Sequence, residues 1–533
     1  MTALVAAYAA FLSIYFVPVV DNVDANGYIV SARLFQEHGR FYQVPPDDYS
    51  FIGRMWVANS AGEYFPKYPP LYPALVGLVM VGFGIDAGFY VAPACALLAL
   101  LGMYVLCRTQ FSAGLSVLGT LALAANPIFN VFALRQMSHA PSMCFLIWAY
   151  VALFQALLRK QRRPNLALIL ISGLLLGCSV GIRYTNALLA VPPLLIILSG
   201  RVGELQGHER RRSLAAYLAG FAVPCILLAG YHWRAFGGPL TTGYALSGEQ
   251  SSFGWTYLVE HLGLFAVPMV KELMGPTAIL SIIGLVMLWL RDRRRAILFI
   301  IWIMPLSLLY MSYYWAPTLS SVKFLRFLLP AVVPGILLAL VCLDGIARGL
   351  ERRRTARILG GVVLAGLLGW WGISGTLPAA EREYAGRVAR KGTVDLIAGT
   401  VPAGSVMFGH RTLLLALDFT QAYRLYPSVI LDKHRMAESV VDPDKPLAIE
   451  LQEERVRLLE TNFSGLDRLT YNSRVRSLLE TCLSGSRGVF VAGKPSIVRR
   501  SLELLPPGYA PETIVEERGG EYSLEIVRIA RVR

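Results

Sequence analysis

The chain is paced by long apolar runs. A hydrocarbon core of ~30 Å takes about 20 mostly apolar residues to cross as helix. Runs near that length occupy residues 2–20, 87–107, 112–128, 140–158, 165–182, 185–199, 214–233, 273–290, 296–314, 324–347 and 356–375. These eleven runs predict a polytopic α-helical membrane protein. A further stretch, 70–84, is apolar but short for a full crossing, and one added crossing there would flip the side of every later loop. It is read as a re-entrant or partial helix; a thirteen-span version needs another crossing as well. Pro192 and Pro193 interrupt the 185–199 run. Residues 1–20 lack a basic leader and a small-residue cleavage site, so they read as a retained first span.

The polar connections alternate in charge. One set carries eighteen cations: Arg108; Arg159, Lys160, Arg162 and Arg163; Arg201 and Arg210 to Arg212; Arg291 and Arg293 to Arg295; Arg348, Arg352, Arg353, Arg354 and Arg357. The other set carries five, Arg135, Arg183, Arg234, Lys271 and Lys323. The positive-inside rule makes the first set cytoplasmic. The first large loop (21–68), the second (234–272) and everything after about residue 376 then lie outside.

Composition agrees: of 533 residues, 55% are hydrophobic and 16% charged, with mean hydropathy +0.52. Soluble chains carry about 25% charged residues, so soluble, disordered and disulfide-scaffold classes are excluded. The net charge of +15 sits mostly in inter-span clusters without interleaved aromatics, a topology signal and not a nucleic-acid footprint. The seven cysteines show no metal spacing or disulfide framework.

Beyond the last run, 376–393 reads as a linker and 394–533 as a small α/β domain. Polar helical stretches (446–461, 472–483) separate short apolar runs (405–408, 488–491), and alternation on either side of Gly519-Gly520 predicts a terminal hairpin. Asp442-Pro443-Asp444 has the spacing of a metal-diphosphate motif, but a proline-centred acidic turn explains it better.

The first large loop concentrates the candidate chemistry. Asp21 and Asp24 follow the first span, ahead of an amphipathic helix closed by Gly39 whose Ile29, Ala32, Leu34 and Phe35 are available to lie on the membrane surface. An ionised carboxylate against apolar surface is costly unless paired. On these residues alone, capping of the helix by Asp24 or Asn26 is the simplest reading. The loop ends in Lys67-Tyr68-Pro69-Pro70-Leu71-Tyr72-Pro73, where prolines hold a cation at fixed depth. Taken singly, Lys67 is a snorkelling interfacial lysine. Arg326 lies inside an apolar run, where an unpaired cation costs ~2.5 kcal/mol or more, so an anion is expected to meet it.

In order, these parts resemble the GT-C superfamily of integral membrane glycosyltransferases. The chain is most similar to the branch of bacterial aminoarabinose transferases and protein O-mannosyltransferases, and the likeness spans essentially the whole chain. It rests on the acidic residue after a hydrophobic first span, the helix Tyr28…Ser31-Ala32-Arg33-Leu34…Gly39 and the Lys67 to Pro73 segment. Gly237-Gly238-Pro239-Leu240-Thr241-Thr242-Gly243-Tyr244 and the run Arg326 to Pro334 agree with it. One departure concerns the usual acidic pair: Ala25, not an acid, follows Asp24, which leaves Asp21 and Asp24 both open for the catalytic place.

The resemblance implies transfer of a sugar from a polyprenyl-phosphate donor, with inversion, to a lipid, polysaccharide or protein acceptor at the outer face. A carboxylate, Asp24 or Asp21, would take the acceptor proton. Lys67, Arg326 and Arg183 would stabilise charge on the leaving phosphate. Tyr28, Arg135, His139, Tyr244, Glu249 and His261 are weaker substrate-binding candidates. No metal is required; a divalent ion (Mg, Mn or Zn) would find its natural ligands in Asp21 and Asp24. Membrane lipids are the expected surroundings, with the donor's tail in a groove among the spans. The rival readings are an O-antigen polymerase or ligase, with chemistry expected in a late loop, and a secondary transporter, with two similar halves and midplane charges.

Overall fold

A computed structural model of the protein describes residues 1–158, 164–200, 205–315, 321–350, 354–431, 462, 465–503, 505, 508–517 and 524–532. Each of the eleven apolar runs carries helix. The N-terminal half contains α1 (Thr2–Tyr15), α2 (Val23–His38), α3 (Leu71–Phe83), α4 (Val91–Arg108), α5 (Ala113–Ala124), α6 (Pro127–Ala133), α7 (His139–Leu158), α8 (Leu166–Ile182) and α9 (Val191–Ser199). Then follow α10 (Gly207–Phe236), α11 (Gly243–Leu246), α12 (Trp255–Pro268), α13 (Thr277–Arg291), α14 (Arg293–Met311), α15 (Ser321–Leu325), α16 (Leu329–Gly349) and α17 (Arg354–Thr400).

Among the described residues, six helices are long and apolar enough to cross a membrane on their own, and eight if each bent pair counts as one span. Sequence chemistry accounts for the breaks. Helix α1 ends at Tyr15 in extended backbone at Phe16, two residues before Pro18, because a proline drives the residue before it out of the helical region. Asn126 ends one helix and caps the next, with Pro127 at the first position of α6, and the pair bends by 64°. Gly275 at φ 53° and Pro276 turn the chain by 95° into α13. The short 70–84 stretch is α3, 13 residues long, and a 3-10 turn (Ile85–Tyr90) leads from it into α4.

The first loop departs from the sequence reading. Helix α2 is not laid on a surface: Ile29, Ala32 and Leu34 are all buried. Ile29 and Ala32 join the core of the membrane helices, while Val30 and Leu34 pack with Trp56 and Tyr64. The latter two belong to β1 (Trp56–Ala58) and β2 (Tyr64–Pro66), an antiparallel pair. Apolar residues on both faces of α2 are satisfied by two partners, not by lipid.

The C-terminal region is built on a five-stranded sheet: β3 (Val406–Gly409), β4 (Arg424–Pro427), β5 (Val489–Gly493), β6 (Tyr509–Glu517) and β7 (Leu524–Arg531), in order β4-β3-β5-β7-β6. Strands β4, β3 and β5 are parallel, while β7 runs antiparallel to β5 and to β6. Helices α18 (Arg411–Asp418), α19 (Arg468–Ser484) and α20 (Pro495–Glu503) accompany it. The α/β reading of the tail and its terminal hairpin hold. The stretch 376–393, expected as a linker, is helix instead: α17 runs unbroken for 47 residues into the domain. Its composition there (Ala379, Ala380, Glu381, Arg382, Glu383) favours helix, and Ile397 and Val401 join the domain's core.

The loop expectations at residues 159–163, 201 and 352–353, the Asp442-Pro443-Asp444 motif, the 446–461 stretch and the turn at Gly519-Gly520 lie outside the described residues.

Candidate active site

Helix α2 is capped by Asn22, whose side-chain oxygen accepts the Ala25 N–H at 2.9 Å. Neither Asp24 nor Asn26 caps it, which corrects the simplest reading of the sequence. Asp24 instead faces the membrane helices. It accepts the Tyr68 hydroxyl at 2.5 Å on one oxygen and lies 3.1 Å from Arg326 Nη1 on the other. Burial works to raise its pKa, but the Arg326 guanidinium, the Tyr68 hydrogen bond and the nearby Lys67 together hold it below the ordinary aspartate value. Asp24 is thus ionised at neutral pH.

Arg326 opens a 3-10 turn, Arg326–Leu328, between α15 and α16. Its guanidinium is flanked by the rings of Phe132, Trp315 and Phe327, the last at 4.8 Å. The sequence requires an anion for this residue, and Asp24 is that anion. Arg183 stands on the other side of the same phenyl ring's neighbourhood, 5.5 Å from Phe327. It follows the last residue of α8 in extended backbone. Its guanidinium donates to Ser138 Oγ at 3.3 Å and Tyr310 Oη at 3.0 Å, and meets His139 Nε2 at 3.1 Å.

Lys67 does not snorkel. It is 4% exposed and pairs with Glu249 at 2.6 Å, and its ammonium lies 5.4 Å above the Tyr244 ring. The loop bearing Tyr244 packs directly on this lysine: a Cβ on Gly243 would stand 2.3 Å from Lys67 Cα, so only glycine fits there. Tyr28 stacks on Tyr68 with ring centroids 4.4 Å apart and meets Ser138 Oγ through its hydroxyl at 3.0 Å. Arg135 pairs with Glu383 of α17 through both Nε and Nη2.

A charge imbalance follows. Lys67 has Glu249, Arg326 has Asp24 and Arg135 has Glu383. Among the described residues Arg183 meets no carboxylate, only neutral partners.

The structure therefore gathers Asp24, Arg326, Arg183, Lys67, Glu249, Tyr28, Tyr244 and His139 around Tyr68, Ser138 and Phe327. Arg135 borders them. Asp21 does not join: its carboxylate takes the Asn22 amide and its carbonyl takes Arg390. His261 is elsewhere, with Nδ1 on the Met311 carbonyl at 2.9 Å and its ring against Phe265 and Phe324. Sequence reasoning missed Tyr68, Ser138, Tyr310 and Phe327 as members. Tyr68 had a signal in its place beside Lys67; the others are ordinary residues of apolar segments.

Both Asp24 oxygens are already engaged, and among the described residues no three His, Cys, Asp or Glu side chains converge. Asp21 and Asp24, the expected ligands, are turned to different partners, Asn22 for the one and Tyr68 and Arg326 for the other. One and two helical turns along α3 from Tyr72, whose ring meets Tyr28 at 5.1 Å, Leu75 and Val79 begin an apolar groove of about 600 Å³ that continues over Ala94, Cys95, Phe145 and Trp148.

A family model described as dolichyl-phosphate-mannose-protein mannosyltransferase matches residues 67–228. No curated protein matches the chain by sequence. Among solved structures, ArnT from Cupriavidus metallidurans bound to undecaprenyl phosphate aligns with TM-score 0.63 at 14% identity, covering 99% of this chain and 97% of that one. The archaeal oligosaccharyltransferase AglB from Archaeoglobus fulgidus, in complex with an inhibitory peptide and a dolichol-phosphate, aligns with TM-score 0.52 at 11% identity over 92% of this chain and 69% of that one. The likeness read from the first loop is borne out in the architecture: the chain has the polytopic helical GT-C fold.

Proposed function

We propose that the protein transfers a sugar from a polyprenyl-phosphate donor to an acceptor, with inversion, using Asp24 as the base. The observation that carries this reading is the unpaired Arg183 beside the Asp24–Arg326 pair. A cation held only by hydroxyls and an imidazole is a site short of one anion. A lipid-borne phosphate supplies that anion, and the apolar groove along α3 supplies a place for its tail. Two ligand-bound structures of the same fold, those of ArnT and AglB, carry undecaprenyl phosphate and dolichol-phosphate, which supports a donor of this class.

Each residue then has a chemical task. The acceptor O–H gives its proton to Asp24 as the new C–O bond forms at the anomeric carbon. The bond from that carbon to the phosphate oxygen breaks with its electron pair, so the phosphodiester becomes a monoester and gains one negative charge. Arg183 and Arg326 are placed to meet that charge where it develops. Tyr68 orients the Asp24 carboxylate. Lys67 is held by Glu249 and reaches the phosphate only by leaving it. No step of this reading uses a metal.

Eighteen cations on one set of connections favour the outer leaflet of a bacterial inner membrane as the place of reaction, with the C-terminal domain on the same side. The acceptor, whether lipid, glycan or protein, is left open by these residues. The test is Asp24→Asn in the full-length protein, with undecaprenyl-phosphate-linked mannose or aminoarabinose as donor and a membrane extract as acceptor source. Release of undecaprenyl phosphate should stop while expression stays normal; undiminished release overturns the assignment.

A further inference from the structure

The C-terminal domain offers one carboxylate that the proposed mechanism does not use. Asp418, the last residue of α18, is 6% exposed. Among the described residues it faces no cation. Its partner is the amide of Asn26, which donates to Asp418 Oδ2 at 2.8 Å and to the Leu415 carbonyl at 3.2 Å. A buried carboxylate at a helix C-terminus, without a counter-charge, is a costly arrangement. Burial pushes its pKa up to about 6, against the hydrogen bonds from Asn26, Gln43 and Gln421.

The place of Asn26 gives that cost a use. It sits two residues after Asp24 in the first turn of α2 and is completely buried. Its side-chain oxygen accepts the Trp56 indole N–H at 3.0 Å. The space around it is closed: a Cβ on Gly53 would stand 2.0 Å from that oxygen. Residues two apart on a helix point to opposite sides. Asp24 is therefore held on one side by Tyr68 and Arg326, while the same turn is held on the other by the C-terminal domain.

The rest of the first loop is tied to that domain as well. Phe51 donates its N–H to the Leu425 carbonyl at 2.6 Å, and its ring lies in the core formed by Met407, Leu414, Phe490 and Ile526. Asp47 accepts the Tyr426 hydroxyl. Phe419, directly after Asp418, packs edge-on against Phe89 at the start of the α4 segment, with centroids 4.8 Å apart.

We infer that Asp418 is a positioning residue for the transfer reaction: through Asn26 it fixes the turn of α2 that carries Asp24, which makes the C-terminal domain a structural half of the active site. This rests on the assignment of Asp24 as the base.

The test exchanges the pair. In the full-length protein, Asn26→Asp sets two carboxylates against each other across a 2.8 Å contact. It should lower kcat about tenfold with donor KM within about twofold. Adding Asp418→Asn restores an amide–carboxylate pair with the roles reversed and should return kcat to within about threefold of the parent. Deuterium exchange of residues 20–30 should rise in the single variant and fall back in the double one. A double variant no better than Asn26→Asp, or Asn26→Asp with parental kcat and exchange, overturns the inference. Asp24→Asn, run alongside, separates the two claims. An inactive Asp24→Asn beside an indifferent pair exchange removes only the clamp, whereas an active Asp24→Asn removes the assignment beneath it.

Discussion

Replacing Arg183 by methionine separates binding from stability with opposite signs. The side chain makes two hydrogen bonds to neutral oxygens, of Ser138 and Tyr310, and one contact to His139, but none to an acid. In the ligand-free protein its removal leaves Ser138 with the Tyr28 hydroxyl at 3.0 Å and Tyr310 with Thr185 at 2.8 Å, and orphans the Nε2 of His139 alone. An uncompensated cation leaves a partly buried position, so thermal stability should hold or rise. With a phosphate bound the account reverses. A hydrogen bond to a charged group is worth about 1.5–3 kcal/mol, so loss of one guanidinium–phosphate interaction should weaken binding by about 10- to 150-fold. The assay is titration of purified, detergent-solubilised protein with undecaprenyl phosphate, followed by tryptophan fluorescence, with the melting temperature of the ligand-free protein measured in parallel. Arg183→Lys keeps the charge without the planar fork and should fall between. Affinity of Arg183→Met within twofold of the parent, or a large drop in ligand-free stability, would show that Arg183 is a structural arginine and refute the charge argument.

Other perturbations test the surrounding network. Asp21→Asn should leave transfer nearly intact where Asp24→Asn abolishes it, because Asp21 is turned to Asn22 and its carbonyl, not its carboxylate, takes Arg390; the comparison is made with the same undecaprenyl phosphate release assay. Glu249→Gln leaves the buried Lys67 without its ion-pair partner and should cost about 3–5 kcal/mol of stability, read by thermal unfolding. Asp24 has a depressed pKa, so its ionised form is lost only as pH falls below the ordinary aspartate range. In Arg326→Ala the acid limb of the rate profile should move to higher pH. Asp418 has the opposite sign. Its stabilising contribution is complete when protonated, below about pH 4, and is lost as pH rises through about 6. Asp418→Asn should remove a pH-dependent difference of about 2–3 kcal/mol between pH 4 and 7. Chelation by EDTA should leave transfer unchanged.

The membrane architecture was legible because its signal is written in long stretches. Eleven apolar runs survive small errors at every boundary as helices, though among the described residues only six, or eight with each bent pair counted as one, are long and apolar enough to cross alone. Arg326 was legible for the same reason, since a cation within an apolar run demands an anion wherever the chain goes. The identity of that anion was not: Asp21 and Asp24 are equivalent as neighbours of a first span, and only the cap at Asn22 decides which of them turns inward. Lys67 was placed at the right end of the loop but given the wrong surroundings, because its partner Glu249 lies 182 residues away. Helix α2 shows how a two-sided contact is lost in a one-dimensional reading. Its apolar positions cover more than one stripe, which fits burial between two bodies, and a membrane surface was the nearer explanation. The α17 helix erased an expected linker because polarity marks where a span leaves lipid, not where its helix ends. Asn26 and Asp418, 392 residues apart, carry no local signal at all.

The most direct test of the central claim is a structure of the full-length protein with undecaprenyl phosphate. The account places the phosphate within about 3 Å of the Arg183 and Arg326 guanidinium groups, facing Asp24, with the tail entering the groove along Leu75 and Val79. A phosphate bound elsewhere, with Arg183 still on Tyr310 and Ser138 alone, would contradict it.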